Sequence, residues 1–281
     1  MIQMIANKPT IRSGRFSAGA DFVCGANVVV DVADEVVVGD RCVLADDTYI
    51  CGMGVRIGDD FFNYGHWNKR LEIGLGRRDE EEATLVVGDR NTWHDNRVDL
   101  SAPVVIGNDV GLSPETCIYT HHYWLSVLEG YPQRVQGVTI GDGVIVGFRS
   151  CVLPGARIGN NAVIGAQSVV SGMVVGGKVW GGNPLRMLKE SITPYPSNIK
   201  AMLLKQFVQE WEQSLKYRKL PVPGWGVEHP IINVDGCMID VEAQTLTGLE
   251  SELTDDLRLF LFKRGIRIFT LRPFAKLGRA T

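Results

Sequence analysis

Two adjacent histidines, His121 and His122, are the residues in this chain whose type and spacing point most directly to chemistry. The chain contains only five histidines, and Tyr123 and Trp124 follow this pair directly. An imidazole with an ordinary pKa near ~6.5 can take up a proton at neutral pH, as a general base must. The pair therefore favours acid–base chemistry in this segment, while the other three histidines are spread along the chain at positions 66, 94 and 229.

The segments around this pair repeat every six residues, a period that neither a helix nor an ordinary strand produces. One aliphatic residue begins each step: Ile140, Val146, Val152, Ile158, Ile164 and Val170. A small residue follows four places later: Val144, Ser150, Ala156, Ala162, Ser168 and Val174. A short strand plus a turn has this period, and three such units close one triangular coil. Glycine next to the aliphatic residue is expected to suit the backbone angles of the corner.

The same repeat extends toward the N-terminus. An aliphatic residue, glycine and Asp or Asn recur six times, beginning at Val38, Ile57, Val87, Ile106, Ile140 and Ile158. Stacked coils bury a continuous core, so the extent of the repeat predicts a mainly β protein built as a parallel β-helix solenoid. Two stretches interrupt it. The first, between Ile57 and Val87, is interpreted as a solvent-exposed insertion at the edge of the coil. The second, between Ile118 and Ile140, carries the histidine pair.

The segments Val138–Gly147 and Pro154–Val170 and the sequence Gly182-Asn-Pro-Leu-Arg186 resemble the hexapeptide-repeat acyltransferases, in particular the galactoside, maltose and xenobiotic acetyltransferase branch. The resemblance is dense over 104–190, begins near 16 and is absent after 191. It implies a left-handed β-helix that forms a homotrimer. It also implies transfer of an acetyl group from acetyl-CoA to a hydroxyl or amine, with the active site between subunits.

For the catalytic base, the resemblance implies a histidine in the second interruption. Counted back from Ile140, His121 lies about where the family has this residue, and His122 is the alternative. Tyr123, Trp124, Asn96 and Asp99 are the candidates for binding the acceptor. The group that orients the base is left open among Asp95, Asn96 and Asp99.

For acetyl-CoA, the resemblance implies a groove lined by small residues with a cationic end. Position by position, the implied cofactor-binding residues are Phe148, Ala166, Ser171, Gly172, Arg186 and Lys189. Arg186 and Lys189 would pair with phosphates. Phe148 is bulkier than the family's usual residue, and Gly172 replaces a usual basic one.

Composition excludes several other classes of protein. A net charge of −3 and a pI near 6.0 argue against nucleic-acid binding. No window approaches the ~18–20 apolar residues of a membrane span, and the N-terminus lacks the apolar core of a signal peptide. The six cysteines show neither metal-type pairs nor disulfide density, so the chain is expected to be cytoplasmic, with reduced thiols and no metal.

The predicted organisation has three parts: a β-helix domain over 1–190, a linker helix within 191–220, and a small ββαβ accessory domain over 221–281. Apolar residues every four positions from Ile199 to Leu215 predict the helix, with Ser197 as its cap. In the last part, Asp235-Gly236 predicts a hairpin, Thr254 caps a second helix, and Ile266–Leu271 is predicted as a third strand.

The leading hypothesis is thus an acetyl-CoA-dependent O-acetyltransferase that acts on a sugar or saccharide hydroxyl. An N-acetyltransferase acting on an amino sugar remains an alternative, since the same base serves both. A metal enzyme like the γ-type carbonic anhydrases, with His66, His94 and His122 as evenly spaced ligands, is a second alternative. A non-catalytic β-helix scaffold is a third.

Overall fold

The computed structural model describes residues 8–64, 71–74, 81–190, 193–272 and 274. The chain divides into two compact units, Met1–Ile192 and Thr193–Thr281. The boundary falls two residues after the predicted end of the β-helix domain. Residues 65–70 and 75–80, within the first predicted interruption, lie outside the described part, and so does His66.

The first unit is a left-handed parallel β-helix of about eight turns with three faces. Three long strands run through the first and second faces: β1 (Thr10–Ala18), β3 (Val29–Val38) and β5 (Tyr49–Ile57). The first face continues with β7 (Glu72–Ile73), β10 (Arg97–Val98), β13 (Cys117–Ile118), β18 (Cys151–Val152) and β21 (Val169–Val170). The second face continues with β8 (Thr84–Val87), β11 (Val104–Ile106), β16 (Val138–Ile140), β19 (Arg157–Ile158) and β22 (Met173–Val174).

The third face is a separate sheet. It contains β2 (Val23–Cys24), β4 (Val43–Leu44), β6 (Phe62–Asn63), β9 (Thr92–Trp93), β12 (Gly111–Leu112), β17 (Ile145–Val146), β20 (Val163–Ile164) and β23 (Val179–Gly181). At its end β24 (Arg186–Lys189) pairs antiparallel with β23. Because neighbouring coils pair in parallel and in register, like positions stack above one another.

The core of the β-helix confirms the period of six. All six repeated aliphatic residues from Ile140 to Val170 are buried, and so are the six small residues that follow them. Cys42 occupies one of these inward positions, and burial raises the pKa of its thiol to about 12. That thiol is therefore a packing residue, since a nucleophilic cysteine needs a lowered pKa.

The aliphatic-Gly-Asp/Asn repeat forms the corner between the second and third faces, here called the aspartate corner. At each coil the Asp or Asn Oδ1 accepts a hydrogen bond from a backbone N–H of the coil before. The six acceptors are Asp40, Asp59, Asp89, Asn108, Asp142 and Asn160, at 2.7–3.0 Å. This ladder explains why a short side chain with a carbonyl-type oxygen recurs there.

The glycines of this corner are required by close approach. A Cβ on Gly39 would lie 2.3 Å from Oδ1 of Asp59, which occupies that space from the next coil. Glycine was expected there for its backbone angles, but the left-handed conformation belongs to the residue two places later. Arg41, Asp60 and Arg90, for example, have φ of 55–57°.

These left-handed residues alternate in charge along the aspartate corner. These residues form a column, one from each successive coil, and in chain order they are Asp21, Arg41, Asp60, Arg90 and Asp109. Arg41 Nε lies 2.9 Å from Asp60, and Arg90 Nη2 lies 2.8 Å from Asp109. Each positive residue therefore pairs with a carboxylate one coil further along.

The second unit contains α1 (Ser197–Tyr217), a four-stranded antiparallel sheet and α2 (Glu252–Phe262). The strands are β25 (Trp225–Glu228), β26 (Ile231–Val234), β27 (Cys237–Asp240) and β28 (Thr245–Thr247). Helix α1, predicted as a linker, buries Leu204, Val208, Trp211 and Leu215 in the same core as this sheet and α2. It therefore belongs to the second unit. No helix in the described part of the chain is long and apolar enough to cross a membrane.

The predicted hairpin at Asp235-Gly236 is confirmed, with both residues at positive φ between β26 and β27. The predicted third strand over Ile266–Leu271 is wrong. That segment has no strand pairing, and the carbonyl oxygen of Ile268 within it accepts a hydrogen bond from Arg258. The helix caps also differ. Helix α1 begins after Pro196, and α2 is capped by Ser251, with Thr254 three residues inside in a capping box.

Candidate active site

The histidine pair lies in a loop that leaves the β-helix between the first and second faces, at what is here called the histidine corner. Residues 121–122 form β14 (His121–His122), which pairs antiparallel with β15 (Arg134–Val135). A 3₁₀ turn over Val127–Glu129, capped by the Ser126 hydroxyl, lies at the outer end. This short hairpin keeps His121 next to the corner instead of at the loop's tip.

His121 is oriented by a buried carboxylate. Its Nδ1 atom lies 2.7 Å from Oδ2 of Asp99, which follows β10 one coil earlier. The imidazole is 28% exposed, whereas the Asp99 side chain is 1% exposed. The ring is therefore held from inside the protein and open to solvent on its outer side.

Asp99 is held in its charged form by several donors. The Thr120 hydroxyl and backbone N–H donate to Oδ2 at 2.7 and 3.0 Å, and the Ser101 hydroxyl donates to Oδ1 at 2.9 Å. Burial alone would raise the pKa of this carboxyl. The hydrogen bonds from Thr120, His121 and Ser101 outweigh it and leave the pKa of Asp99 below its ordinary value.

A charged Asp99 fixes the proton of His121 on Nδ1, because a carboxylate can only accept. The outward Nε2 then carries the lone pair that a general base uses. Ser101 Oγ lies 2.8 Å from Nδ1, on the same side of the ring as Asp99. Ser101 is therefore not placed as a nucleophile, since the histidine of a Ser-His-Asp triad activates the serine through its other nitrogen.

An open cavity of about 440 Å³ lies beside the outer face of His121. The Tyr123 ring contacts His121, with ring centroids 5.0 Å apart. Trp124 is 96% exposed and Leu128 is 94% exposed, so the loop presents apolar side chains to solvent. The cavity is lined by His121, His122, Tyr123, Trp124, Leu125, Tyr131 and Pro132. His122 is exposed and has no carboxylate partner comparable to Asp99 among the described residues.

Two of the four residues predicted to bind the acceptor lie in the interior instead. Asn96 is fully buried, accepts from the His94 backbone N–H at 2.7 Å and donates to the Ser113 carbonyl at 2.8 Å. Asp99 orients His121 and has no exposed surface to offer. Tyr123 and Trp124, by contrast, line the cavity.

Four of the six residues predicted to bind acetyl-CoA lie at the two edges of the first face. Ser171 and Gly172 are exposed at the histidine corner, two coils beyond the loop. Phe148 and Ala166 lie in adjacent coils at the opposite corner, between the third and first faces, where the Gln167 N–H donates to the Phe148 carbonyl. Arg186 and Lys189 are exposed on β24. One chain does not bring these groups together around His121.

The structure also bears on the metal alternative. Within the described ranges, no three His, Cys, Asp or Glu side chains are grouped so as to hold a metal ion. His94 lies at the corner between the third and first faces, whereas His122 lies in the loop of the histidine corner. His66 is outside the described residues.

Ser101 and Thr120 were missed from sequence. Both contact Asp99, and Ser101 also contacts His121 across twenty residues of chain. Their sequence neighbours give no signal. Only the stacking of β10 on β13 would have brought Asp99-Leu-Ser101 beside Thr120-His121.

Comparison with known proteins agrees with the fold of the first unit. A protein-family model described as bacterial transferase hexapeptide (six repeats) matches residues 137–172. The solved structure of the polysialic acid O-acetyltransferase OatWY matches with a TM-score of 0.51 and 18% identity, over 68% of this chain and 92% of that chain. At this identity the likeness shows the fold alone. Residues 137–172 thus carry the hexapeptide repeat, and the fold of the first unit is that of the left-handed β-helix proteins.

Curated relatives are acetyltransferases. Over 115 residues the chain is 36% identical to the putative acetyltransferase YJL218W of Saccharomyces cerevisiae, covering 38% of this chain and 57% of that protein. Over 135 residues it is 29% identical to the galactoside O-acetyltransferase of Escherichia coli, covering 46% and 57%. The chain thus spans about half the length of the curated relatives it matches.

Proposed function

We propose that this protein is an acetyl-CoA-dependent O-acetyltransferase that acts on a hydroxyl of a sugar or saccharide. The observation that carries the proposal is the His121–Asp99 pair, 2.7 Å apart, with the outer edge of the ring facing an aromatic cavity. Its setting in a hexapeptide β-helix with acetyltransferase relatives supports acyl transfer as the reaction.

The proposed acetyl transfer follows from the tautomer of His121, which carries its hydrogen on Nδ1 and its lone pair on Nε2. As the acceptor oxygen attacks the thioester carbonyl carbon, its proton passes to Nε2 of His121, and Asp99 stabilises the imidazolium. The tetrahedral adduct then expels the sulfur of CoA, which takes that proton back. The products are an acetyl ester and the CoA thiol, and His121 returns to its starting state.

The cavity suits a saccharide. Tyr123, Trp124 and Tyr131 present aromatic surface, and such rings pack against the apolar faces of sugar rings while their polar tips remain available for hydrogen bonds. We therefore assign the acceptor to this cavity.

We further infer that the active enzyme is a homotrimer. The predicted cofactor residues lie at two corners of one chain, and a groove between neighbouring prisms around a threefold axis would unite them. The exposed apolar loop with Trp124 and Leu128 also favours a protein neighbour. Light scattering that found a fully active monomer would contradict this inference.

The six free cysteines suit a reducing compartment, which supports a cytoplasmic location.

The function is tested by incubating the purified chain with acetyl-CoA and a panel of saccharides, nucleotide sugars and amino sugars. Release of CoA thiol, together with an acceptor that gains one acetyl group as an alkali-labile ester, is the expected result. An alkali-stable amide would show N-acetylation instead. If calorimetry detects no binding of acetyl-CoA and no acceptor releases thiol, the protein is a scaffold and the proposal fails.

A further inference from the structure

Nδ1 of His121 faces two oxygen atoms. Asp99 Oδ2 lies at 2.7 Å and Ser101 Oγ at 2.8 Å. Ser101 is 6% exposed, and its hydroxyl hydrogen is directed to Asp99 Oδ1, 2.9 Å away. Because that hydrogen is committed to the carboxylate, the serine oxygen presents its lone pairs to the ring.

This arrangement fixes the ring more tightly than a carboxylate alone would. Rotation of an imidazole about χ2 is soft, so a single acceptor leaves the direction of Nε2 poorly defined. Two acceptors on one N–H define the ring plane. They also strengthen as the ring becomes cationic, when Nδ1–H becomes a better donor.

We propose that Ser101 is a positioning residue for the proton-transfer step, setting the direction of Nε2 of His121 and stabilising the imidazolium that forms there. This inference rests on the proposed acyl transfer. The charged and titratable groups around the ring are Asp99 behind it, Tyr123 against its face, Tyr131 across the cavity, and His122 and Arg134 on the paired strands. Of these groups, Asp99 contacts Nδ1, and the hydroxyl oxygen of Ser101 is its other contact.

Replacing Ser101 with alanine removes one acceptor from the imidazolium and leaves the Asp99 charge in place. The expected result is a kcat about tenfold lower, the usual worth of one hydrogen bond to a charged group. The KM for acetyl-CoA should be unchanged. The acid limb of the pH–rate profile should move to lower pH, because the protonated ring has lost stabilisation.

Two further variants separate positioning from folding. Ser101→Thr keeps the hydroxyl and should restore both kcat and the pH profile. Thr48→Val removes a buried hydroxyl that donates to the Ala45 carbonyl at another corner, and it should change neither. A Ser101→Ala enzyme with a wild-type pH profile and kcat within twofold would overturn the proposal. So would failure of Ser101→Thr to rescue a folded enzyme.

Nitrogen NMR of histidine-labelled protein supplies a readout that needs no activity. The wild-type His121 should carry its proton on Nδ1. In Ser101→Ala the proton should stay on Nδ1, because Asp99 remains in place, but the Nδ1 resonance should shift and broaden as the N–H loses its second acceptor. An unchanged spectrum would overturn the inference even in an active enzyme. Conversely, the expected spectrum from a protein that transfers no acetyl group would leave the positioning of His121 intact and reject only the proposed function.

Discussion

The two units of the chain accommodate their polar and charged groups in different ways. In the β-helix, one small interaction is repeated at each coil, as in the ladder that joins Asp40 to Asp59 and Asp59 to Asp89. In the second unit, buried charges are paired in isolated clusters. Asp256 accepts two hydrogen bonds from Arg218 and one from Trp211, and all three side chains are deeply buried. A repeated interaction tolerates the loss of one copy, whereas a single buried ion pair has no substitute.

The candidate active site lies where the repeat is broken. His121 belongs to the twenty-one residues between Ile118 and Ile140, but the residue that orients it, Asp99, belongs to the regular coil before. The rigid scaffold therefore supplies the positioning group and the irregular loop supplies the reactive one. Catalysis and stability should accordingly respond to different substitutions.

His121→Ala should have the largest effect on activity. Loss of a general base costs roughly 10²- to 10⁴-fold in rate. Acetyl-CoA affinity should barely change. The melting temperature should fall only slightly, because Asp99 keeps its hydrogen bonds from Thr120 and Ser101. His122→Ala should cost less. Steady-state kinetics of both variants would check this: the reverse ranking would identify His122 as the base, and two active variants would remove the histidine mechanism.

Asp256→Ala should have the largest effect on stability. It leaves the buried guanidinium of Arg218 without its carboxylate, which typically costs about 3–5 kcal/mol. Denaturant unfolding of the full chain, followed by tryptophan fluorescence, should show the second unit unfolding early. If the variant unfolds as the wild type does, the contrast between the two units is wrong.

Arg186→Ala combined with Lys189→Ala should raise the KM for acetyl-CoA about tenfold, because exposed pairing with phosphate is charge-assisted but screened by solvent. The kcat should be unchanged, because such contacts stabilise the ground state and the transition state equally. The penalty should shrink with acetyl-pantetheine, which lacks the adenosine end. An equal penalty with both donors would locate the nucleotide elsewhere.

Asp59→Ala should have the smallest effect and forms a matched pair with Asp256→Ala. It removes one rung of the ladder, the 2.9 Å bond from the Asp40 N–H, at a corner that water reaches. The expected cost is about 0.5–1.5 kcal/mol of unfolding free energy. A loss comparable to that of Asp256→Ala would show that the ladder is cooperative instead of additive.

The sequence predicted the β-helix well because its information is periodic. Any one coil repeats what the next contains, and burial of Ile140, Val146 and Val152 follows from spacing alone. The site was predicted only in part. His121 was recognisable from its neighbours, but the roles of Asp99 and Ser101 depend on which coil stacks on which.

The second unit was harder to predict for the same physical reason. Strands β25 and β28 alternate in burial, but at four and three residues they are too short for the alternation to be recognised from sequence. The segment after α2 alternates like a strand, yet it pairs with no strand, and Arg258 donates a hydrogen bond to the carbonyl oxygen of Ile268. Long-range contacts of this kind leave no local pattern.

The alternating column at the aspartate corner has a consequence for how the coils assemble. Coils that share one repeat could pair out of order, and the charges at this corner oppose one such error. Skipping one coil would bring Arg41 against Arg90, or Asp60 against Asp109, and close like charges repel. The alternating charges therefore disfavour any register in which one coil is skipped, and so help to select the native order of the coils.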